Sequence, residues 1–170
     1  MFHTLIELPK ACLAIAEIGT ATRTASRAAC AQLIDELSRR EPGRPLSVSK
    51  SHSGHWVAVG VSSVATIGVD IEVAGPRLRL AEMAEWLELD AANESEFFAH
   101  WTLRESLAKS RGGSVLESHA VESELRAAAR QPGDVIDVNG YSALCGQVEG
   151  GIYYSLVLKH PARHETILCA

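Results

Sequence analysis

The chain has 170 residues, of which 46% are hydrophobic and 22% charged, and its formal net charge is −5. This composition is typical of one globular domain, or of two small halves that share a core, and it excludes a wholly disordered chain. The longest apolar runs are too short for a membrane-spanning helix, and the acidic balance argues against a general nucleic-acid-binding protein.

The first part of the chain predicts one strand followed by one helix. Residues 12–18 alternate loosely between apolar and other side chains, as a strand does. Thr22 or Thr24 then begins a helix that extends to about Arg39. The proline- and glycine-rich residues 41–45 end this helix, because proline fits poorly within or directly after helical residues.

The next segment predicts a turn and two strands. Residues 47–54 are polar, which is typical of a turn. Trp56–Ser62 is rich in β-branched residues, and Thr66–Val73 follows after a short turn at residues 63–65. Because the connection is so short, we expect these two strands to form an antiparallel pair.

Two helices are predicted in the middle of the chain. Residues 80–87 indicate a short helix. Asn93 followed by Glu96 is typical of the capping pattern that begins a helix. This second helix is predicted to end at Gly112 and Gly113, because glycine tolerates the left-handed conformation of a helix C-cap.

The remaining pattern predicts short strands and completes an α+β fold. Turn signals at Asn139-Gly140 and Gly150-Gly151 separate three strands, at residues 135–138, 143–148 and 152–158. The predicted order is β-α-β-β-α-α-β-β-β. A strand followed by helix occurs twice, which two half-units related by a pseudo-twofold axis would explain, and we place them at residues 1–65 and 66–170.

Two acidic residues are predicted to share one face of a strand. In Thr66–Val73 the side chains alternate, so Ile67, Val69 and Ile71 should face the core, while Asp70 and Glu72 lie on the opposite face. Neighbouring carboxylates repel each other unless water or a cation lies between them. Their oxygens suit Mg²⁺, although an exposed strand face would carry the same pattern.

A second pair of charged residues lies on the predicted helix that follows Asn93. Glu105 and Lys109 are four positions apart and therefore neighbours on its surface. One could bind a metal or accept a proton, and the other could hold phosphate. An ordinary surface ion pair has the same spacing.

Charge is distributed unevenly along the chain. Residues 20–56 carry six Lys or Arg against three acidic residues, whereas residues 57–105 carry three Arg against nine acidic residues. A basic segment followed by an acidic one is compatible with a polyanion held beside metal-binding carboxylates, or with two solvated surfaces.

Taken together and in this order, the motifs resemble those of the 4′-phosphopantetheinyl transferases, in particular the surfactin type built from two half-repeats. The family patterns G-K-P, S-H-S, [IV]-G-[IV]-D-[IV]-E and W-[ST]-x-K-E-[AS]-x-x-K correspond to residues 43–45, 51–53, 67–72 and 101–109. The resemblance implies the fold of that family, in which each half-unit is a small antiparallel sheet packed with helices.

The resemblance also implies roles for individual residues. Asp70, Glu72 and Glu105 would bind Mg²⁺ together with the pyrophosphate of coenzyme A, and Glu105 would in addition accept the proton of the acceptor serine. Lys109 would neutralise charge on the pyrophosphate. The nucleotide end of coenzyme A would contact Ser51 and His52, with His52 at the 3′-phosphate, and Arg44 and Pro45 would border the adenine.

The sequence departs from the family pattern at several positions. Arg104 stands where the family has lysine before the glutamate, and a planar guanidinium differs in shape from an ammonium group. Lys50 replaces a commonly apolar residue, the stretch between residues 43–45 and His52 is short, and the chain is short for a two-repeat member. These departures concern mainly the predicted contacts to coenzyme A.

The resemblance implies transfer of 4′-phosphopantetheine from coenzyme A to a serine of an acyl or peptidyl carrier protein. Two alternatives are another metal-dependent enzyme acting on phosphates, and a catalytically idle relative that binds coenzyme A or a carrier protein. We expect a monomer with no nucleic-acid or membrane partner.

The N-terminus and the cysteines bear on the location of the protein. The first residues lack the basic segment of a secretory signal, so we expect a cytoplasmic protein. The cysteines are too scattered for a zinc site or a disulfide framework, so we expect buried or incidental thiols at Cys12, Cys30, Cys145 and Cys169.

Overall fold

A computed structural model of the chain describes residues 4–40, 44–75, 80–89, 93–113 and 119–161. Gly43 and Cys169 therefore lie outside the described residues. The elements, in chain order, are β1 (Thr4–Leu8), β2 (Ala11–Glu17), α1 (Arg23–Ser38), β3 (Ser47–Ser53), β4 (Trp56–Ser62), β5 (Thr66–Val73), α2 (Leu80–Trp86), α3 (Glu94–Arg111), α4 (His119–Arg130), β6 (Val135–Val138), β7 (Tyr141–Val148) and β8 (Ile152–Lys159).

The strands form two four-stranded antiparallel sheets, which confirms the predicted α+β fold with two half-units. The first sheet has the order β1-β2-β4-β3, and the second has the order β5-β8-β7-β6. In each sheet, one strand is followed in the chain by helix, and a later strand then pairs with it. In the first sheet β4 pairs with β2, and in the second sheet β8 pairs with β5. The two halves therefore share this element of connectivity.

The core lies in layers that follow the alternation of side chains along the strands. Ile67, Val69 and Ile71 of β5 pack against Leu13 and Ile15 of β2 between the two sheets, as the alternation predicted. The outer face of the first sheet packs against α1, and the outer face of the second packs against α3 and α4. The opposite face of β5, which carries Asp70, is thereby turned towards α3.

The two sheets approach closely at Gly60. A Cβ atom at this position would overlap the side chains of Val69 and Ile67. The small residues on one face of β4 therefore make room for the branched side chains of β5. This fit fixes where β5 lies on the first sheet.

Two predictions for the segment before β5 are wrong. The polar residues 47–54 form mostly strand, because β3 pairs with β4 over its whole length, from Ser47 opposite Ser62 to Ser53 opposite Trp56. The strands β4 and β5 do not pair with each other, because β4 already has β2 and β3 as neighbours. The turn after β4 instead carries the chain from one sheet to the other.

The helix ends follow their local sequence. Thr22 caps α1, and the Asn93 side chain accepts a hydrogen bond from the Glu96 backbone N–H at 3.1 Å at the start of α3. Gly112 ends α3 with a φ of 69°, in the left-handed region that favours glycine. The elements β1 and α4 were not predicted.

Other expectations concern the thiols and the membrane. Of the described cysteines, Cys30 and Cys145 are buried thiols and Cys12 is partly exposed. Across the described ranges, no helix combines the length and the apolar character needed to cross a membrane.

Candidate functional site

The candidate site lies between β5 and α3, which pack closely because of one glycine. A Cβ atom at Gly68 would overlap the Ser106 carbonyl oxygen and would also crowd the backbone N–H of Ser110. The absence of a side chain at Gly68 therefore allows α3 to lie directly against the face of β5 that carries the two acidic residues.

Buried hydroxyl groups fix the rotation of α3 against the second sheet. The Thr102 hydroxyl lies 2.7 Å from the Ser155 hydroxyl on β8, and the Ser106 hydroxyl donates to the Ser155 carbonyl oxygen at 3.0 Å. Both contacts are buried, where hydrogen bonds are strongest and most restrictive. They orient the helix so that Lys109 reaches β5.

Lys109 is bound to β5 rather than to its neighbour on the helix. Its Nζ donates to Asp70 Oδ1 at 2.7 Å and to the Val69 carbonyl oxygen at 3.0 Å. Helical spacing alone had indicated Glu105 as the partner. The Asp70 side chain is only 6% exposed, so a nearby cation compensates for its lost hydration.

Burial and neighbouring charges shift the pKa values of two carboxyl groups in this region. Burial raises the pKa of Asp70, and the Lys109 ammonium offsets this only in part. The pKa of Glu105 is raised by burial and then by the Asp70 charge, with a smaller contribution from Glu72 and an opposing one from Lys109. The charges of Asp70 and Glu72 therefore influence Glu105, and its raised pKa favours the protonated form more than in an exposed glutamate.

Serine side chains of β3 complete the site from the first sheet. The Ser51 hydroxyl donates to Asp70 Oδ1 and the Ser53 hydroxyl donates to Glu72 Oε2, both at 2.7 Å. Ser53 was not among the predicted site residues. Its signal was the strict alternation of serine through residues 47–53, which is typical of a strand with one small polar face.

The donor set fits Mg²⁺, although the groups are not assembled into a finished metal cluster. In the described part of the chain, Asp70 Oδ2 is buried and lacks a hydrogen-bond partner, which is costly for a carboxylate oxygen unless a cation binds it. Over the same residues, no three acidic, histidine or cysteine side chains converge as a ready-made metal site. Asp70, Glu72 and Glu105 are therefore candidate ligands whose side chains would adjust on binding.

The residues predicted to contact the nucleotide do not form one cluster: Ser51 donates to Asp70, whereas His52 lies on the other face of β3, and Arg44 and Pro45 precede the strand. His52 is exposed, on the face of the strand opposite Ser51 and Ser53. Arg44 and Pro45 are exposed just before β3 begins. Pro45 borders a cavity of about 450 Å³ that Lys159 and His160 also line. The structure thus places Arg44 and Pro45 at one end of β3 and His52 near the other.

Arg104 occupies an environment that a lysine would not fill in the same way. Its side chain is 2% exposed, and the guanidinium carbon lies 3.8 Å from the centre of the Trp86 ring. A planar guanidinium stacks on an indole over its whole area, whereas an ammonium group cannot. The departure from the family motif is therefore matched by an aromatic partner on α2.

Comparison with known proteins supports the resemblance seen in the motifs. The chain is 34% identical over 97 residues to the 4′-phosphopantetheinyl transferase AcpT of Salmonella typhimurium, covering 51% of this chain and 50% of the relative. It is 33% identical over 93 residues to the AcpT of Escherichia coli K12, covering 48% of each chain. A putative 4′-phosphopantetheinyl transferase of Haemophilus influenzae is 29% identical over 105 residues, which are 50% of this chain and 44% of the relative.

These similarities define a relationship over part of the molecule. No family model matches the chain. The chain spans about half the length of the curated relatives it matches. Over the aligned half, it is similar to proteins named 4′-phosphopantetheinyl transferases, in agreement with the motifs of its sequence.

Proposed function

We propose that the protein transfers 4′-phosphopantetheine from coenzyme A to a serine of an acyl or peptidyl carrier protein in a Mg²⁺-dependent reaction. The observation that carries this proposal is the buried Asp70 carboxylate, flanked by Glu72, Glu105 and Lys109, in a chain related to such transferases. Phosphoryl transfer needs this combination of acidic metal ligands and a cation near the phosphates.

Each residue of the site has a distinct role in the proposed reaction. Asp70, Glu72 and Glu105 would hold Mg²⁺, which when bound would neutralise charge on the pyrophosphate. Glu105 accepts the proton of the carrier serine as its oxygen forms a bond to the phosphorus next to pantetheine. The bond from that phosphorus to 3′,5′-ADP breaks, and Lys109 stabilises the charge that develops on this leaving group.

The proposed coenzyme A contacts extend along β3 from the carboxyl groups. Ser51 and His52 lie at the phosphates, with the His52 ring at the 3′-phosphate, and Arg44 and Pro45 border the adenine. This assignment is supported by the exposure of His52 and Arg44, which leaves both side chains accessible to a ligand. We also propose that the half-units meet between residues 65 and 66, and that the protein acts as a monomer in the cytoplasm.

Intact-mass spectrometry tests the activity. The protein is incubated with coenzyme A, Mg²⁺ and a panel of apo acyl and peptidyl carrier proteins, and at least one carrier should gain the mass of one phosphopantetheine group. Asp70→Asn or excess chelator should abolish the gain, whereas Glu94→Gln, on the exposed first turn of α3, should not. Full transfer by Asp70→Asn, or none by the native protein with any carrier, would contradict the proposal.

Binding of dephospho-coenzyme A tests the role of His52. Coenzyme A should bind more tightly than dephospho-coenzyme A, and the difference should shrink in His52→Ala because that variant loses the group that contacts the 3′-phosphate. His55→Ala, which removes an exposed histidine from the following turn, is the matched control. An equal loss of affinity for both ligands in His52→Ala would make His52 a structural residue.

A further inference from the structure

Every second residue of β3 is a serine whose side chain faces β5. Three of the hydroxyl groups accept hydrogen bonds from backbone N–H groups on the edge of β5 that does not pair with β8: Ser47 from Ile67 at 3.1 Å, Ser49 from Val69 at 2.9 Å and Ser53 from Val73 at 3.1 Å. The two sheets are therefore joined at this edge through serine side chains, which we call the serine ladder (Ser47, Ser49, Ser51 and Ser53).

Two members of the serine ladder make a second kind of contact. Ser51 donates to Asp70 and Ser53 donates to Glu72, each at 2.7 Å, and both contacts are partly buried. Ser47 and Ser49 contact backbone N–H groups instead. The ladder thus contains two serines that only join strands, Ser47 and Ser49, and two that contact candidate metal ligands, of which Ser53 also joins the strands.

We propose that Ser51 and Ser53 are positioning residues that orient Asp70 and Glu72 for cation binding, whereas Ser47 and Ser49 only join the sheets. The inference rests on the proposed function. It identifies β3, in the first half-unit, as the element that orients the metal ligands of the second half-unit. The motif at residues 51–53 would thereby contact the carboxyl groups as well as the nucleotide.

The physical reason is the repulsion between two carboxylates on one face of a strand. A hydroxyl that donates to one oxygen of a carboxylate limits rotation of the group and stabilises its charged form. Ser51 engages Asp70 Oδ1 and leaves Oδ2, which is buried and without a hydrogen-bond partner in the described residues, available to a cation. Partners that orient metal ligands in this way commonly contribute on the order of 10-fold to metal affinity.

Single alanine variants of the ladder provide matched pairs for a test. Each of Ser47→Ala, Ser49→Ala and Ser53→Ala removes one acceptor from the edge of β5, so all three should lower the unfolding temperature. Only Ser53→Ala and Ser51→Ala should weaken Mg²⁺ binding, by roughly 10-fold. Ser53→Thr keeps the hydroxyl on a residue that strands favour and should restore binding.

The measurement is calorimetric titration of the full chain with Mg²⁺ in the presence of 3′,5′-ADP, with the Mg²⁺ concentration for half-maximal transfer as the second readout. Weakened binding in Ser51→Ala and Ser53→Ala but not in the other two variants supports the inference, even if no carrier protein is modified. Equal Mg²⁺ affinity in all four variants overturns it, even if transfer is normal. Absence of Mg²⁺ binding to the native chain under these conditions overturns it as well.

Discussion

The ammonium group of Lys109 lies 2.7 Å from Oδ1 of Asp70, a residue that is only 5% exposed. The two residues are on different elements, so this contact ties α3 to β5 at the centre of the site. It also supplies positive charge to a group whose pKa burial has raised. The pair therefore contributes to stability as well as to the proposed chemistry.

Replacing Lys109 should reveal both contributions. Lys109→Met should lower turnover by roughly 10²-fold or more, because a preorganised cation is lost. It should also lower the free energy of unfolding at pH 8 by about 1–3 kcal/mol, because among the described side chains Asp70 then keeps only the Ser51 hydroxyl. A carboxyl group whose pKa is raised in the folded state makes the protein less stable as pH rises above the pKa of the unfolded state, near 3.8. The loss of stability in Lys109→Met should therefore shrink towards pH 4.

Urea denaturation of Lys109→Met, Asp70→Asn and the double variant at pH 5 and pH 8 measures this coupling. Removing both charges should be much less costly than removing Lys109 alone. A Lys109→Met variant as stable as the native protein at pH 8 would show that the contact does not stabilise the fold.

Gly68→Ala should separate α3 from β5. The new methyl group would overlap the Ser106 carbonyl oxygen, which belongs to the helix backbone and cannot rotate away. We expect a loss of about 1–3 kcal/mol in unfolding free energy, and a large fall in transfer because Lys109 moves with the helix. Gly19→Ala is the control, since no described atom lies within 4 Å of the methyl group there. Equal unfolding temperatures for the two variants would contradict this packing.

Arg104→Lys should test the stacking on Trp86. Although it restores the family residue, it should destabilise the protein by about 1 kcal/mol, because an ammonium group loses the planar contact with the indole. In a Trp86→Leu background, the same Arg104→Lys change should cost much less. Thermal unfolding of the native protein, the two single variants and the double variant gives this coupling, and a zero coupling would rule out the stacking contribution.

His100 should make the protein sensitive to acid. It is 2% exposed, and burial first, then Arg126, lowers its pKa to about 4, with Glu96 opposing the shift and Arg130 adding to it. Because the unfolded state binds a proton more readily, stability should be full above about pH 6.5 and fall as pH decreases towards 4. The difference between these values corresponds to roughly 3 kcal/mol.

The His100→Gln variant, measured by denaturation from pH 4 to pH 7, should show a flatter pH dependence than the native protein. The comparison is between slopes, so a uniform change in stability caused by the substitution does not affect it. Parallel curves for the two proteins would show that His100 is not the group responsible.

Local patterns were sufficient where a residue and its partner are close in the sequence. The period of β5 placed Asp70 and Glu72 on one face, and the caps of α3 followed from Asn93 and Gly112. Spacing could not indicate that Lys109 contacts Asp70, because that contact depends on how a helix docks on a strand about forty positions away.

The strand β3 was not predicted because the residues that stabilise it are also distant in the sequence. Its residues Ser47–Ser53 include one apolar residue, Val48, which is exposed, so no hydrophobic alternation marks a strand. The hydroxyl groups that face β5 find their partners some twenty positions later. The pairing of β4 with β5 was wrongly predicted for a related reason: a short turn favours a hairpin only when the first strand has an edge available.

The turn between the sheets makes the protein a candidate for fragment complementation. Val64, in this turn, is 43% exposed. The serines of β3, which precede the turn, make hydrogen bonds with residues of β5, which follow it. A chain divided there would leave the polar face of β3 on one fragment and its N–H partners on the other. Two such fragments, expressed separately and mixed, should regain transfer activity only on reassociation, so each half could serve as one arm of a proximity reporter.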